Sequence, residues 1–158
     1  MPYNTYLVTN SFLCQSFSQK IPIDPMKAQK LTYFAHGYYL ALTHKPLINE
    51  YFQAWKLGPV APSLYQDLKI YRGNDIEDYI NSRGIFNKKL NNDKQFIQIR
   101  DFVWDTYKDA NFMKLSNLTH KKGYAWDRTL EKNPGIIGPP ILNEDIERDF
   151  ASLVKKDG

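Results

Sequence analysis

Three histidines, one cysteine and a few adjacent acids are the residues of this 158-residue chain with types suited to chemistry. His36, His44 and His120 form no HExxH pair, and no two stand four apart. The spacing that sets two imidazoles on one helical face for zinc is therefore absent. Cys14 is the single cysteine, which excludes a disulfide within the chain and a cysteine-rich zinc site. It follows Phe12-Leu13 and is expected to be a buried small hydrophobe. The acid pairs Glu77-Asp78 and Glu144-Asp145 fall near helix starts or in loops. There they complement helix dipoles more naturally than they form an acid/base pair. No P-loop, Rossmann glycine fingerprint or G-x-S-x-G elbow occurs. His36 is expected to be a satisfied or partly exposed helix residue, and His44 a surface residue in a turn. His120 ends Leu118-Thr119-His120 ahead of Trp126, where it is placed to donate to the last carbonyls of a short helix. A catalytic histidine would need a nucleophile or carboxylate beside it. The residues assign no catalytic group, no metal ligand and no cofactor, and the chain reads as a non-enzyme.

Those residues hang on a central segment. Asp24-Pro25 opens a helix, Asp capping its first N–H groups and Pro fitting its first turn. At ~100° per residue, Ala28, Leu31, Phe34, Ala35, Tyr38 and Leu42 share one stripe, while Met26, Tyr33, Gly37 and Leu40 fall roughly opposite. Two apolar stripes predict a central helix over about 25–42 packed on both sides. Gly37 is expected to admit a close neighbour. Residues 50–56 then give a short extended element through Phe52–Lys56. A tight turn is expected at Gly58-Pro59, and a helix from Pro62 or Ser63 to Arg72.

Elsewhere the periodicity predicts helices over 3–20, from Asp93 to about Lys108, over Phe112–His120, over 124–131, and from Asn143 onward. Residues 74–92 are the least decided: Ile76 to Ile80 fits a strand or a short helix, Asn81-Ser82-Arg83-Gly84 a turn, and Asn87 to Asn92 a polar, mobile stretch. The fold class is mainly α: a single domain, 1–158, of six or seven helices with one small extended element. This length buries a sizeable core without metals or disulfides. Aromatics make up 15% of residues, enough to fill that core with rings or to furnish a binding face. Trp104 is expected to be semi-core. The net charge of +4 is spread along the chain and broken by acids, which by itself describes a solvated surface. There is no signal-peptide pattern and no apolar run long enough to span a bilayer. Together with the single cysteine this suggests a reducing cytoplasm and no membrane partner.

Three motifs stand in order: Lys27…Gln29-Lys30-Leu31…Tyr33-Phe34-Ala35, then Ala54-Trp55…Gly58-Pro59-Val60…Tyr65, then Leu118-Thr119-His120…Trp126. Together they resemble the Panacea domain, a phage-associated family that includes antitoxins of the SocA type. The resemblance covers about 24–150, with the 3–20 helix packed on it. It implies an antitoxin-like interaction domain that neutralises a co-encoded toxin, by direct binding or by delivering it to an AAA+ protease. Two departures stand out. Ala28 and Thr32 occupy positions where bulkier apolar residues are common, and Thr32 is expected to face a partner or water. The loop Lys121-Lys122-Gly123-Tyr124 is positive where the family is often acidic or polar, which would suit an acidic partner.

The exposed motif members expected to contact a toxin are Lys27, Lys30, Tyr33, Lys56, Tyr65, Lys121 and Tyr124. Asp24, Leu31, Phe34, Trp55, Gly58, Pro59, Val60, Thr119, His120 and Trp126 are expected to shape the fold and the surface. The alternative is a basic helical regulator that binds nucleic acid and represses its own operon. Salt dependence separates the two, since phosphate contacts release counterions.

Overall fold

A computed structural model describes residues 2–81 and 87–157, with the side chains of 156 and 157 excepted. Eight α-helices and one β-hairpin lie among the described residues: α1 (Thr5–Gln19), α2 (Pro25–Thr43), β1 (Gln53–Trp55), β2 (Gly58–Val60), α3 (Pro62–Leu68), α4 (Lys88–Asn91), α5 (Lys94–Tyr107), α6 (Phe112–Thr119), α7 (Ala125–Lys132) and α8 (Asn143–Asp157). A 3₁₀ turn, Lys69–Tyr71, extends α3. The mainly helical class holds. The helix beyond the seven expected is α4, which replaces a stretch thought to be mobile. Asn87 caps it by accepting the Leu90 N–H at 2.9 Å.

Helix α2 is the axis. The Asp24 carboxylate accepts the Lys27 N–H at 2.8 Å and starts it, and His44 in the left-handed region ends it. Nearly the whole of α2 is buried, because α8, α5, α1, α6, α3 and β2 all pack on it. Phe150 of α8 is the closest neighbour. A Cβ at Gly37 would collide with its ring, so Gly37 is what lets the two helices approach. Around that contact, Tyr33, Phe34, Tyr38, Phe52, Phe102 and Phe150 form a chain of edge-to-face rings.

Polar pins fix the packing. Thr9 and Thr32 hydroxyls bond at 2.8 Å across α1 and α2, so Thr32 is fully buried and the expectation of an exposed Thr32 is corrected. Asp93 caps α5 through the Phe96 N–H at 3.0 Å, and its other oxygen accepts from Tyr3 at 3.0 Å and Tyr39 at 2.9 Å. Burial and that carboxylate push the Tyr3 hydroxyl up to about 12 and raise Tyr39 as well.

Other expectations need correction. Cys14 is exposed: it falls at the edge of the α1 stripe, where Tyr79 is the near group. Trp104 is completely buried, its indole N–H donating to Gln19 at 3.1 Å. Residues 76–80 are neither strand nor helix; Ile76 and Ile80 plug the core from a loop whose backbone is held at Ile80 by both ends of the Asn10 amide. Of the turn expected at 81–84, residues 82–84 lie outside the described residues.

Candidate partner-binding groove

The hairpin is where the three motifs meet. Its two-residue turn is Lys56-Leu57, and Gly58-Pro59 belongs to β2, paired with Trp55 and Ala54. The turn expected at Gly58-Pro59 thus lies two residues earlier. Gly58 has φ +118°, a value open to glycine, which starts β2 straight after the turn. The site is also crowded: a Cβ there would stand 2.8 Å from Thr119 Oγ1 and 2.9 Å from Lys30 Nζ.

The first motif grips β2 from below. The Gln29 amide donates to Ala61 O at 3.1 Å and accepts from Ala61 N at 2.8 Å, in effect extending the strand's hydrogen bonding. Lys30 is completely buried and donates its ammonium to Pro59 O at 3.1 Å. Desolvation lowers that amine from 10.5 to about 7. The third motif grips β1 and the turn from above. Trp126 donates to Trp55 O at 2.6 Å, and His120 Nε2 faces Lys56 O at 3.0 Å. His120 Nδ1 faces Ser116 O at 2.5 Å, and its ring meets Trp126 edge-on at 4.0 Å. His120 thus stands between a carbonyl of the helix end, as its position suggested, and a carbonyl of the hairpin turn. The loop before α8 adds a third edge, through Ala54 N to Pro139 O at 2.9 Å and Ile141 N to Phe52 O at 2.7 Å.

This clamping leaves the outer face of the hairpin free. Trp55 packs edge-on against Tyr65 at 4.9 Å, and the two rings wall a groove of about 460 Å³ between the hairpin, α3 and the start of α2. Met26, Leu57, Val60 and Leu68 complete its apolar lining, while Lys56, Lys69 and Arg72 stand around it. That volume lies within the ~300–1,000 Å³ range of ligand-binding clefts. The indole N–H of Trp55 is taken by Gln53 at 2.8 Å, so the ring offers the groove its apolar surface.

The seven residues expected at a contact do not gather in one place. Lys56 and Tyr65 border the groove and are exposed. Lys121 and Tyr124 lie at a separate, smaller cavity of about 180 Å³, where the Lys121 ammonium sits 5.7 Å from the Tyr124 ring centre. Tyr33 reaches the same cavity but is only 4% exposed, and burial beside Asp149 raises its hydroxyl. Lys27 and Lys30 are buried, Lys27 donating to the carbonyl of Lys108, the residue that follows α5. The expectation that Lys27, Lys30 and Tyr33 are exposed is therefore corrected: α2 is covered on every side, which a helix read in isolation does not reveal.

Motif residues expected to shape the surface occupy the places just described. Leu31, Phe34 and Val60 are core. His36, expected to be satisfied or partly exposed, is fully buried. Its Nδ1 accepts from Leu47 N at 3.3 Å and Ile48 N at 3.4 Å, and Nε2 donates to Asn143 at 3.0 Å. Burial lowers it to about 4. Asp149 and Arg128 form a largely buried pair. Asp149 accepts the Ala125 N–H at 2.6 Å and an Arg128 N–H at 3.3 Å, and desolvation raises it despite both. Among the described residues no group of three His, Cys, Asp or Glu is placed to hold a metal ion, and no helix is long and apolar enough to cross a membrane. The groove residues that went unnoticed in the sequence are Lys69 and Arg72. Lys69 stands four residues after Tyr65, which was the available signal for it; Arg72 reaches the groove from the left-handed end of the 3₁₀ turn, which no spacing rule marks.

One buried helix, the hairpin clamped on it and an apolar groove on the hairpin's outer face define a mainly helical domain with a preformed cleft. Comparison with known proteins gives its family. The family described as "Antitoxin SocA-like, Panacea domain" matches residues 29–127, and the chain belongs to that family. One curated relative is Antitoxin SocA of Caulobacter vibrioides (strain NA1000 / CB15N), 46% identical over 59 residues. That alignment takes in 37% of this chain and 31% of the relative, so the chain matches about a third of that protein's length. No solved structure matches the chain.

Proposed function

We propose that this chain is an antitoxin that neutralises a toxin protein by binding it, with the hairpin groove as the contact face. The observation that carries the reading is the groove itself: two aromatic walls and an apolar floor on a hairpin that Gln29, Lys30, His120 and Trp126 hold rigid. Aromatic side chains in preformed clefts supply most binding energy at protein interfaces. A surface already ordered before binding spends little of that energy on ordering. Membership of an antitoxin family and the resemblance to Antitoxin SocA support the same reading. Capture of this kind needs no reaction at the site.

The test is growth of cells expressing the protein encoded next to this chain, with and without this chain. Rescue of growth, with the two proteins co-eluting at a fixed ratio, is the expected result. A neighbour that is harmless, or rescue without any association, would remove the reading.

A further inference from the structure

We infer that the groove takes a short acidic segment of the toxin, with a bulky apolar side chain seated between Trp55 and Tyr65 and carboxylates meeting Lys56, Lys69 and Arg72. The inference rests on the antitoxin reading and specifies the chemistry of its partner.

Three observations lead to it. First, the floor offers no polar group of its own. The Gln29 amide is used up on both backbone atoms of Ala61, and the Trp55 N–H on Gln53. Apolar surface of this kind gains by covering, at roughly 25 cal/mol per Å². Second, no acid lines the groove, and among the described residues none of its three cations has a side-chain ion pair or hydrogen bond. Asp67, the acid within α3, lies two residues from both Tyr65 and Lys69. It therefore falls on the other flank of the helix, where its carboxyl is raised by burial and by Glu50. Third, the cations are set by structure. Lys69 opens the 3₁₀ turn that extends α3, Arg72 ends that turn in the left-handed region, and both line the groove, while Lys56 stands on the hairpin turn, whose carbonyl His120 faces.

An apolar cleft with unpaired positive charge at its edge selects a ligand that is apolar at the centre and negative at the ends. Three cations over an apolar floor suit a peptide better than duplex nucleic acid, whose binding rests on many phosphate contacts along a backbone.

The test uses the full chain and the protein of the adjacent reading frame. A benzophenone amino acid replaces Leu57, which is 44% exposed, and irradiation of the co-expressed pair is followed by mass spectrometry of the joined peptides. The expected attachment is a single segment with a large apolar residue flanked by Asp or Glu. In parallel, K56E/K69E/R72E is expected to slow association about 30-fold at low salt and to flatten its salt dependence. The thermal midpoint should hold, because all three side chains are exposed. The control K88E/K89E/K94E, which makes the same change in net charge on exposed positions of α4 and α5, is expected to stay within about 2-fold.

Attachment to a neutral or basic segment overturns the inference. So does a triple variant that holds the toxin as tightly as the unaltered chain, an outcome that leaves toxin capture itself intact. Loss of duplex DNA binding in that variant, with toxin capture unchanged, assigns the rim to nucleic acid instead. If the unaltered chain neither binds nor rescues, the antitoxin reading fails and this inference fails with it.

Discussion

Replacing Lys30 by Met removes a buried ammonium while keeping most of its volume, and the structure says how the two proteins must diverge with pH. The amine is lowered from 10.5 to about 7 because burial strips its water, which the bond to Pro59 O at 3.1 Å does not replace. Below pH 7 the group is charged in both folded and unfolded chains, and the cost of burying it is fully present. Between 7 and 10.5 the unfolded chain keeps a proton that the folded chain has released, so stability rises with pH. Above 10.5 both forms are neutral and the cost is gone. A tenfold change in proton affinity is worth ~1.4 kcal/mol. Integrated from pH 7.5 to 9.5, the linkage gives about 2.5 kcal/mol. Urea unfolding of both proteins across this range isolates the effect, since the tyrosines that titrate higher are common to both. The unaltered protein is expected to gain about 2.5 kcal/mol relative to Lys30→Met. A difference that stays flat to within ~0.5 kcal/mol would mean that Lys30 reaches water, and the burial of the first motif beneath the hairpin would be refuted.

His36 acts at the acid end. Its folded value of about 4 keeps it neutral in the core, so as pH falls through 6.5 the unfolded chain takes the proton first. Stability is then lost between pH 6.5 and 4, by about 3 kcal/mol in full, and His36→Gln should remove that portion of the acid slope in denaturant titrations. Gly37→Ala should destabilise even though Ala favours helices by ~1 kcal/mol, because its Cβ would collide with the Phe150 ring. A loss of roughly 1–3 kcal/mol, recovered in part when Phe150 is also cut to Leu, is the pattern expected of overpacking. A Gly37→Ala protein that melts higher would contradict the close α2–α8 contact.

The helices were legible because their signals are local. Asp24, Asp93 and Asn111 each accept the N–H three residues on, as capping predicts from sequence alone. The double stripe of α2 foretold packing on two sides, though not the burial of Lys27, Lys30 and Tyr33. The resemblance picked out Gln29-Lys30, the segment Ala54 to Val60 and His120…Trp126, but the pairing of that segment into a hairpin and the contact among the three are tertiary. Lys30 reads as a surface lysine until Pro59 is known to lie above it, and a buried lysine is rare enough that sequence reasoning defaults to solvent. Tyr33 was misplaced for the same reason: a second apolar stripe can face a partner or a neighbouring helix, and here α8 covers it. Short α4 escaped notice because its four residues, Lys88–Asn91, carry no period, and only the Asn87 cap marks it. The groove depends on α3 meeting the hairpin, a geometry no spacing rule supplies.

The measurement that bears most directly on toxin capture is the level of the adjacent gene's product, followed after its synthesis is stopped, in growing cells with and without this chain. Direct capture predicts rescued growth with the toxin persisting in a complex that purifies intact. Rescued growth with the toxin disappearing faster in the presence of this chain would contradict capture and put delivery to a protease in its place.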